Sequence, residues 1–523
     1  MLQRLWAIWL AAGLGMVAGC SSRHYVRMAD IEGMDIAAEK MAVVSNFRAH
    51  LVDPTAAAGA PEPDPGSFDV PKMMTVKDAL VVARRYSREY QTREEAFFLS
   101  ALDLSLTRRN ELKPILSGGL GWSGTDGYAV SFSESTALAL TLTQKLPTGG
   151  QLTLTGSVSH PMVEFAGEQA QDTTTAGSIS ISQSLIRGAP RWVAFEGLTQ
   201  AERNVVYAAR GFEAFRQDFA IGIADQYYRV VVQKMQQAIN QRQLEASEFS
   251  YKLVKARYRL RRSPQRDVFR AEKIYRDAQN NVLESEQSYK TTLDRFKIRL
   301  GLPLSVEFDV ADDIPAVVDP KINQSAAIHA ALSNRLDLLT QRERLEDTRR
   351  GVRIARHSLL PDLDVNASYG VSALATSFSE IVPLDNSRAT FGLNLEIPLD
   401  RKAERNAYRS SLIGLAQAQR GLRQSEDDII VTIRSLVRGL RLQRQAIEND
   451  EANIETEKKN IRKANIDFQA GQASNRDLTD AIQNLAVVEI NILRKYADYE
   501  IARLRLFEAL GVLFVDKDGR FVD

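Results

Sequence analysis

The sequence predicts a mainly α-helical protein with β-strands, in which one unit of helix, strands, long helix and long helix occurs twice. Three observations predict this fold. Stretches of about seventy residues contain no proline, as from Arg191 to Arg262. Other stretches alternate large or β-branched residues with small polar ones, which is the period-two pattern of strands. A shift of 210 residues carries apolar positions of the first half onto apolar positions of the second.

The first residues have the pattern of a cleaved secretory signal. Arg4 precedes an apolar stretch from Leu5 to Gly19, and the residues Val-Ala-Gly before Cys20 resemble a bacterial lipobox. We therefore expect a signal peptide over 1–19 and a lipid on Cys20; the alternative is an ordinary signal with an incidental cysteine. Residues 20–74 are expected to be a lipid-anchored tail and linker, because 52–70 are rich in Pro, Ala and Gly.

Two strand regions are predicted, at about 114–188 and about 362–399. The first contains ALALTLT at 137–143, QLTLTGSVS at 151–159 and GSISISQSL at 177–185, with the turn LPTGG at 146–150. This region is longer than the second, so it has room for four strands rather than two.

The helical segments carry the duplication at seven-residue spacing. With a shift of 210, the first apolar series falls on the second, with Gln237 opposite Ile447 as the exception, and Leu300-Gly301 falls on Leu510-Gly511. These boundaries give a first repeat at 75–301, a linker at 302–322, a second repeat at 323–512 and a C-terminal tail at 513–523. The paired positions are Val268, Tyr275, Val282, Tyr289 and Phe296 with Leu478, Leu485, Ile492, Tyr499 and Leu506, and Ile223, Val230, Leu244, Tyr251 and Tyr258 with Ile433, Leu440, Ile454, Ile461 and Phe468.

A sustained seven-residue repeat forces helices into left-handed supercoils, because the apolar seam must keep facing a partner. Here one heptad position is apolar while its flanks are mixed and often charged. Such a narrow seam suits helices that lie side by side in a hollow wall with water on one face. The first long helix would measure on the order of 100 Å at the helical rise of about 1.5 Å per residue.

The composition excludes several classes of function. The formal net charge is +1, so there is no basic surplus typical of nucleic-acid binding. Cys20 is the only cysteine, which excludes a disulfide framework and a thiolate metal cluster. The histidines at 24, 50, 160, 329 and 357 have no ligand spacing, and the sequence has no phosphate-binding loop or nucleophile elbow. We expect no enzyme activity, cofactor, metal or nucleic-acid partner.

Over roughly residues 75–512 the sequence resembles the TolC family of outer-membrane efflux proteins. The resemblance depends on the duplicated order of elements and on four short phrases. These are Lys113-Pro114-Ile115-Leu116, Leu360-Pro361-Asp362-Leu363, Ile181-Ser182-Gln183-Ser184-Leu185 and Phe468-Gln469-Ala470-Gly471.

The resemblance implies a homotrimer whose strands close one shared transmembrane β-barrel and whose helices form a coiled-coil α-barrel tunnel. Such a channel would be a passive duct from periplasm to exterior in a tripartite efflux or type I secretion-like system. Its partners would be outer-membrane lipid, a periplasmic adaptor and an inner-membrane transporter. Open sheet edges cannot face lipid, so too few strands in one chain would make several chains necessary. The alternative is a coiled-coil envelope scaffold that does not conduct.

The second helical turn, at about 469–477, is the first candidate site. In the family pattern two acidic residues three apart line the constriction at the periplasmic end, and they map onto Asp477 and Asp480. Spacing of i and i+3 places both carboxylates on one helix face, and a ring of carboxylates attracts cations. The alternative for Asp477 is a helix cap at the positive end of the helix dipole.

The first helical turn, at about 259–267, contains the copy of Asp477, which is Asp267, a candidate gate-closing residue. It also contains a basic run through Arg261 and Arg262 to Ser263. This run is either an ordinary solvated helix end or a contact for the adaptor or for an acidic neighbour. In the second turn the candidate contact residues are Ala470, Gly471 and Gln472.

Overall fold

The computed structural model describes most of the chain. Cys20, the signal region 1–19 and Gly471 lie outside the described residues, so the predictions on them stay predictions. The described residues are 22–44, 68–127, 130–165, 168–170, 173–375, 386–470, 472–516 and 518–522.

The described residues form two compact units, each assembled from three parts of the chain. Unit 1 comprises the described residues within Met1–Val43, Phe97–Ala209 and Gln341–Leu422. Unit 2 comprises those within Val44–Ala96, Arg210–Thr340 and Arg423–Asp523. Each unit therefore draws on both sequence repeats.

The helices follow the duplicated order. The two longest, α5 with 64 residues and α9 with 68, have the lengths expected from the proline-free stretches. None of the helices in the described ranges is long and apolar enough to span a membrane. The helices are α1 Ser22–Val43, α2 Val76–Tyr86, α3 Arg88–Leu112, α4 Arg191–Ala194, α5 Glu196–Arg259, α6 Gln265–Leu300, α7 Gln324–Asn334, α8 Leu336–His357, α9 Lys402–Gln469 and α10 Asn475–Leu510.

One antiparallel sheet belongs wholly to unit 1. Its order is β2-β3-β4-β6-β8-β9, with the short β5 paired to β4. The first strand region thus contains four long strands and the second contains two. The strands are β2 Ile115–Gly127, β3 Val130–Lys145, β4 Gln151–Phe165, β5 Glu168–Ala170, β6 Thr173–Ser184, β8 Asp362–Ala375 and β9 Asn386–Glu396.

Two small strand pairs belong to unit 2. Strand β1, Met73–Met74, pairs in parallel with β7, Asp309–Val310, within the linker. Strand β10, Phe514–Val515, pairs with β11, Phe521–Val522. The C-terminal residues therefore form a hairpin, and its carbonyls at Val515 and Asp516 accept hydrogen bonds from the buried Arg216 at 3.2 and 2.7 Å.

The region from 20 to 74, predicted to be tail and linker, contains the helix α1 in unit 1. Gly33 allows the close packing, because a Cβ there would lie 2.8 Å from the Phe98 ring. Glu39 accepts two hydrogen bonds from the Arg108 guanidinium at 3.0 and 3.1 Å. Arg108 and Lys40 both pair with Glu202 of α5. This four-residue charge network attaches α1 to α3 and α5.

The segments 75–112 and 323–357 each form two helices and not one continuous helix. They break at Ser87 and at Arg335, which have extended backbone angles. The breaks accommodate Gly301 and Gly511, the equivalent glycines of the two repeats, both at positive φ. A Cβ on Gly301 would lie 2.0 Å from the Tyr86 carbonyl oxygen, and one on Gly511 would lie 2.9 Å from the carbonyl carbon of Asn334.

Half of the positions in the predicted seven-residue seam are buried in unit 2, and all but one of the others are half-buried. Ile223 and Val230 on α5, and their copies Ile433 and Leu440 on α9, are all buried. Tyr258 is an exception, because it is exposed while its copy Phe468 is buried. The two repeats therefore differ at the end of the long helices.

Candidate functional site: a two-faced sheet and two helix turns

One face of the unit 1 sheet is apolar across all six long strands. Residues that pair directly across strands point to the same face, so the register assigns the faces. One row runs Leu116, Leu142, Leu154, Ile179 and Tyr369. The face also carries Leu120, Leu138, Leu140, Leu152, Ile181, Val365, Phe391 and Leu393.

Several of these apolar side chains lie open in the single chain. Leu120 is 77% exposed and Phe391 is 76% exposed. Removing such a side chain from water is worth roughly 1.5–3 kcal/mol. A continuous face of this kind therefore requires a non-aqueous environment or another apolar surface.

The opposite face is small and polar. One row runs Ser117, Thr141, Thr155, Ser178 and Gly370, and another runs Thr143, Thr153, Ser180, Ser368 and Thr390. This face borders a cleft of about 690 Å³. A sheet with one apolar and one hydrated face has the amphipathic pattern of a barrel strand set that separates lipid from water.

The two edge strands of this sheet each have one neighbour among the described residues. Strand β2 pairs with β3, and β9 pairs with β8. Unpaired edge groups are ready to pair with another strand. The sheet can therefore continue on both sides.

In unit 2, the first turn (260–264) joins α5 to α6 and the second turn (470–474) joins α9 to α10. The four helices meet in an apolar cluster of Val254, Ala271, Phe468 and Leu478. Arg257 of α5 lies over the Phe468 ring at 4.2 Å and donates to the Phe468 carbonyl at 3.2 Å. The structure therefore brings together the two turns that the sequence predicted to be functional.

Asp477 takes part in a capping box at the start of α10. Its Oδ2 accepts hydrogen bonds from the Ser474 hydroxyl and from the Ser474 backbone N–H, both at 2.8 Å. These bonds hold the pKa of Asp477 below its ordinary value, with the hydroxyl bond the largest cause. The sequence left two roles open for Asp477, a gate residue or a helix cap, and its hydrogen bonds are those of a helix cap.

Asp480 follows on the same helix and forms an ion pair with Arg476 at 3.2 Å. Asp267, the copy of Asp477, has no hydroxyl partner of this kind, because Pro264 replaces serine at the cap. Asp267 Oδ1 lies 3.9 Å from Arg266 Nε. The three predicted gate carboxylates thus have three different environments.

The predicted contact residues are mostly open to solvent. Arg261, Arg262, Ala470 and Gln472 are exposed, and Ser263 is half-buried. Arg261 has a φ of 59°, an uncommon conformation for a residue with a side chain. The same two backbone positions close both turns: Arg262 N–H donates to the Arg257 carbonyl and Gln472 N–H to the Asp467 carbonyl, each at 2.8 Å.

The sequence reasoning missed two cations that hold the linker 302–322. Lys234 donates to Asp309 Oδ2 and to the Val310 carbonyl, both at 2.8 Å. Arg444, its copy after a shift of 210, pairs with Asp319. Applying the repeat shift to charged residues as well as apolar ones could have found this pair. Within the described ranges, no group of three His, Cys, Asp or Glu residues could hold a metal ion.

Comparison with known proteins gives a family match in the second repeat. Residues 327–512 match the family model described as outer membrane efflux protein. No curated protein matches the chain in sequence.

Several solved structures share the fold over most of their length. The CmeC outer membrane channel of Campylobacter jejuni has 13% identity and a TM-score of 0.64, covering 84% of this chain and 86% of that one. VceC, an outer membrane protein of Vibrio cholerae, has 14% identity and a TM-score of 0.62, covering 83% and 96%. The open MtrE outer membrane channel of Neisseria gonorrhoeae has 13% identity and a TM-score of 0.61, covering 85% and 90%. These structures confirm the predicted fold class.

Proposed function

We propose that this chain, whose residues 327–512 match the outer membrane efflux protein family model, is a subunit of an outer-membrane channel through which an export system releases solutes. The two-faced sheet of unit 1 carries this proposal. Its apolar face fits lipid, and its face of serine, threonine and glycine fits a hydrated passage. A scaffold that does not conduct would have no need for such a sheet.

The active form is proposed to be a homotrimer. Six long strands with two open edges are too few to enclose a passage and would leave unpaired backbone groups in lipid. Joining the β9 edge of one copy to the β2 edge of the next satisfies both edges and closes a shared barrel. Oligomerisation is then a condition of membrane insertion.

The export system would supply energy through other proteins. We propose that a periplasmic adaptor meets the two helix turns and links the channel to an inner-membrane transporter. The channel itself acts as a passive duct. CmeC and MtrE, which share its fold, are described as outer membrane channels.

The gate is proposed to involve Asp480 and Asp267, with Asp477 acting first as a helix cap. Asp480 and Arg476 form an exposed pair at the start of α10, and exposed pairs of this kind contribute little stability. The double change Asp477→Ala with Asp480→Ala tests the gate. Unchanged cation conductance and unchanged block by multivalent cations in a planar bilayer would refute it.

A lipid on Cys20 would anchor each subunit to the outer membrane. Metabolic labelling with palmitate tests this anchor. Labelling of the wild type that is lost in Cys20→Ala is expected, and labelling that persists in the variant contradicts the assignment.

The channel itself is tested with two neighbouring residues of β3. Leu140 lies on the apolar face and Thr141 on the polar face. An arginine on the lipid-facing side costs about 2–4 kcal/mol at mid-membrane depth, so Leu140→Arg should prevent insertion and abolish conductance. Thr141→Arg should insert and shift the selectivity of the pore toward anions. If the wild type forms no pores, or if both variants conduct as the wild type does, the proposal is wrong.

A further inference from the structure

The two helix turns are built alike but differ in charge and in exposed apolar surface. Both are closed by equivalent backbone hydrogen bonds. With the shift of 210, Arg259, Arg261 and Arg262 correspond to Gln469, Gly471 and Gln472. The second turn is therefore made without arginines, so the turn geometry does not require them.

Helix-end electrostatics do not account for these arginines either. Basic residues stabilise the last turn of a helix by interacting with its dipole. The last turn of α5 has Arg257 and Arg259, whereas the last turn of α9 has no basic residue and ends at the same place in the repeat. Arg257 is used inside the protein, where it contacts Phe468.

Arg261 occupies a position that favours glycine. It has positive φ at the end of α5, as Gly301 and Gly511 have at the ends of α6 and α10. A side chain at this conformation is strained, and strained residues cluster at functional sites. Arginine thus occupies this position against the local backbone preference.

Apolar side chains are exposed beside these arginines. Leu260 is 68% exposed and Phe269 is 61% exposed. Their copies in the second repeat are Ala470 and the buried Thr479. Arginine next to exposed aromatic and aliphatic groups is the composition of a protein-binding surface. We call Arg259, Leu260, Arg261, Arg262 and Phe269 the first-turn surface.

The carboxylates of the second turn already have partners within their own repeat. Asp477 is bound by Ser474, Asp480 by Arg476, and Asp467 by Lys463 at 2.6 Å. Within the described part of the chain, no carboxylate lies within 4.0 Å of the guanidinium groups of Arg259, Arg261 or Arg262. The acidic complement of the first-turn surface is therefore expected on another protein.

We propose that the first-turn surface binds an acidic segment of the partner that meets the channel, with carboxylates opposite the arginines and an apolar contact for Leu260 and Phe269. This inference rests on the proposed function and specifies the chemistry of that partner. It also makes the first turn, and not the second, the site of charge-dependent docking.

Binding of a synthetic helical hairpin with a glutamate-rich turn tests the inference, using the full-length protein in detergent. Fluorescence anisotropy is measured against the same hairpin with glutamine in place of glutamate. The test variant Arg259→Gln with Arg261→Gly and Arg262→Gln gives the first turn the residues of the second. The matched control is Lys252→Gln with Lys273→Gln and Arg276→Gln, which removes three nearby exposed cations that already have carboxylate partners.

The wild type and the control should bind the acidic hairpin, and the test variant should bind at least about tenfold more weakly, with the difference shrinking at high salt. Arg261→Gly alone should raise the thermal unfolding midpoint, since it relieves the strained backbone. Equal binding of the glutamine hairpin, or undiminished binding by the test variant, would overturn the inference. So would preferential binding to phosphatidylglycerol vesicles, or dissociation of the oligomer in the test variant, which would assign the arginines to a contact between subunits.

Conductance measurements distinguish a failure of the docking inference from a failure of the proposed channel function. The test variant should still form pores in a planar bilayer. If pores form and the acidic hairpin does not bind, the docking inference alone fails. If the wild type forms no pores, the channel proposal fails whatever the hairpin does.

Discussion

Lys234 and Arg444 are equivalent residues of the two repeats, 210 positions apart, and each holds one part of the linker 302–322 through a carboxylate. Lys234 binds Asp309 and Asp312, at 2.8 and 2.9 Å, and Arg444 binds Asp319. Two tyrosines related by the same shift of 210 also bind the linker. The Tyr289 hydroxyl donates to Asp309, and the Tyr499 hydroxyl donates to the Val318 carbonyl. The duplicated helices thus bind two different linker sequences at equivalent positions.

We predict that Lys234→Met destabilises unit 2 by about 1 kcal/mol, because it leaves Asp309 and Asp312 without their cation on a partly exposed surface. Hydrogen exchange should become faster in the linker. Lys273→Met is the control, since it removes an exposed pair with Asp277 within one helix. Equal effects of the two changes in chemical denaturation would contradict a special role for Lys234.

Alanine at Gly301 should destabilise the protein by more than about 2 kcal/mol, because the added Cβ meets the Tyr86 carbonyl oxygen and the positive φ disfavours a side chain. Gly511→Ala should have a smaller effect, since its nearest contact is longer. Gly439→Ala in α9 meets no atom within 4 Å and should be neutral or stabilising by up to about 1 kcal/mol. The thermal unfolding midpoint should be lowest for Gly301→Ala, higher for Gly511→Ala and highest for Gly439→Ala. This order would support the close packing at the two breaks, and a neutral Gly301→Ala would disprove it.

The substitution Ser474→Ala distinguishes a helix-capping role of Asp477 from a role in the gate. The substitution removes the hydroxyl that bonds to Asp477 and should cost about 1 kcal/mol of stability. A pure capping role predicts that Ser474→Ala and Asp477→Asn lower the unfolding midpoint similarly and leave conductance unchanged. Altered conductance in Asp477→Asn but not in Ser474→Ala would instead assign Asp477 to the gate.

The attachment of α1 should weaken in acid. Hydrogen bonds from Arg108 lower the pKa of Glu39 to about 2, from an ordinary value of 4.5. A carboxyl with a lowered pKa stabilises the folded state above its ordinary pKa and loses that contribution as the pH falls from about 4.5 toward 2. Because Glu39 is half exposed, solvent screening reduces the effect to about 1 kcal/mol or less.

Limited proteolysis of α1 at several pH values measures this effect. Cleavage in the wild type should increase as the pH falls through this range, and Glu39→Gln should be cleaved readily throughout it. A Glu39→Gln variant with the wild-type pH profile would show that another group controls the attachment.

The sequence by itself determined the fold class, the duplication and the two faces of the sheet. These features are periodic, and a period of two or seven residues can be recognised without knowing what lies opposite each side chain. The alternation in GSISISQSL therefore identified a strand with one apolar and one polar face before its neighbours were known. The two helix turns became candidate sites through the resemblance to the TolC family, whose pattern maps onto Asp477 and Asp480.

Only the tertiary structure decided which distant residues come into contact with one another. The breaks at Ser87 and Arg335 depend on glycines more than 170 residues away in the chain. The roles of Lys234 and Arg444 depended on the path of the linker, whose carboxylates lie 75 and 125 residues away from them in the chain. Such contacts join residues distant in the chain, and they leave no period in the sequence from which they could be predicted.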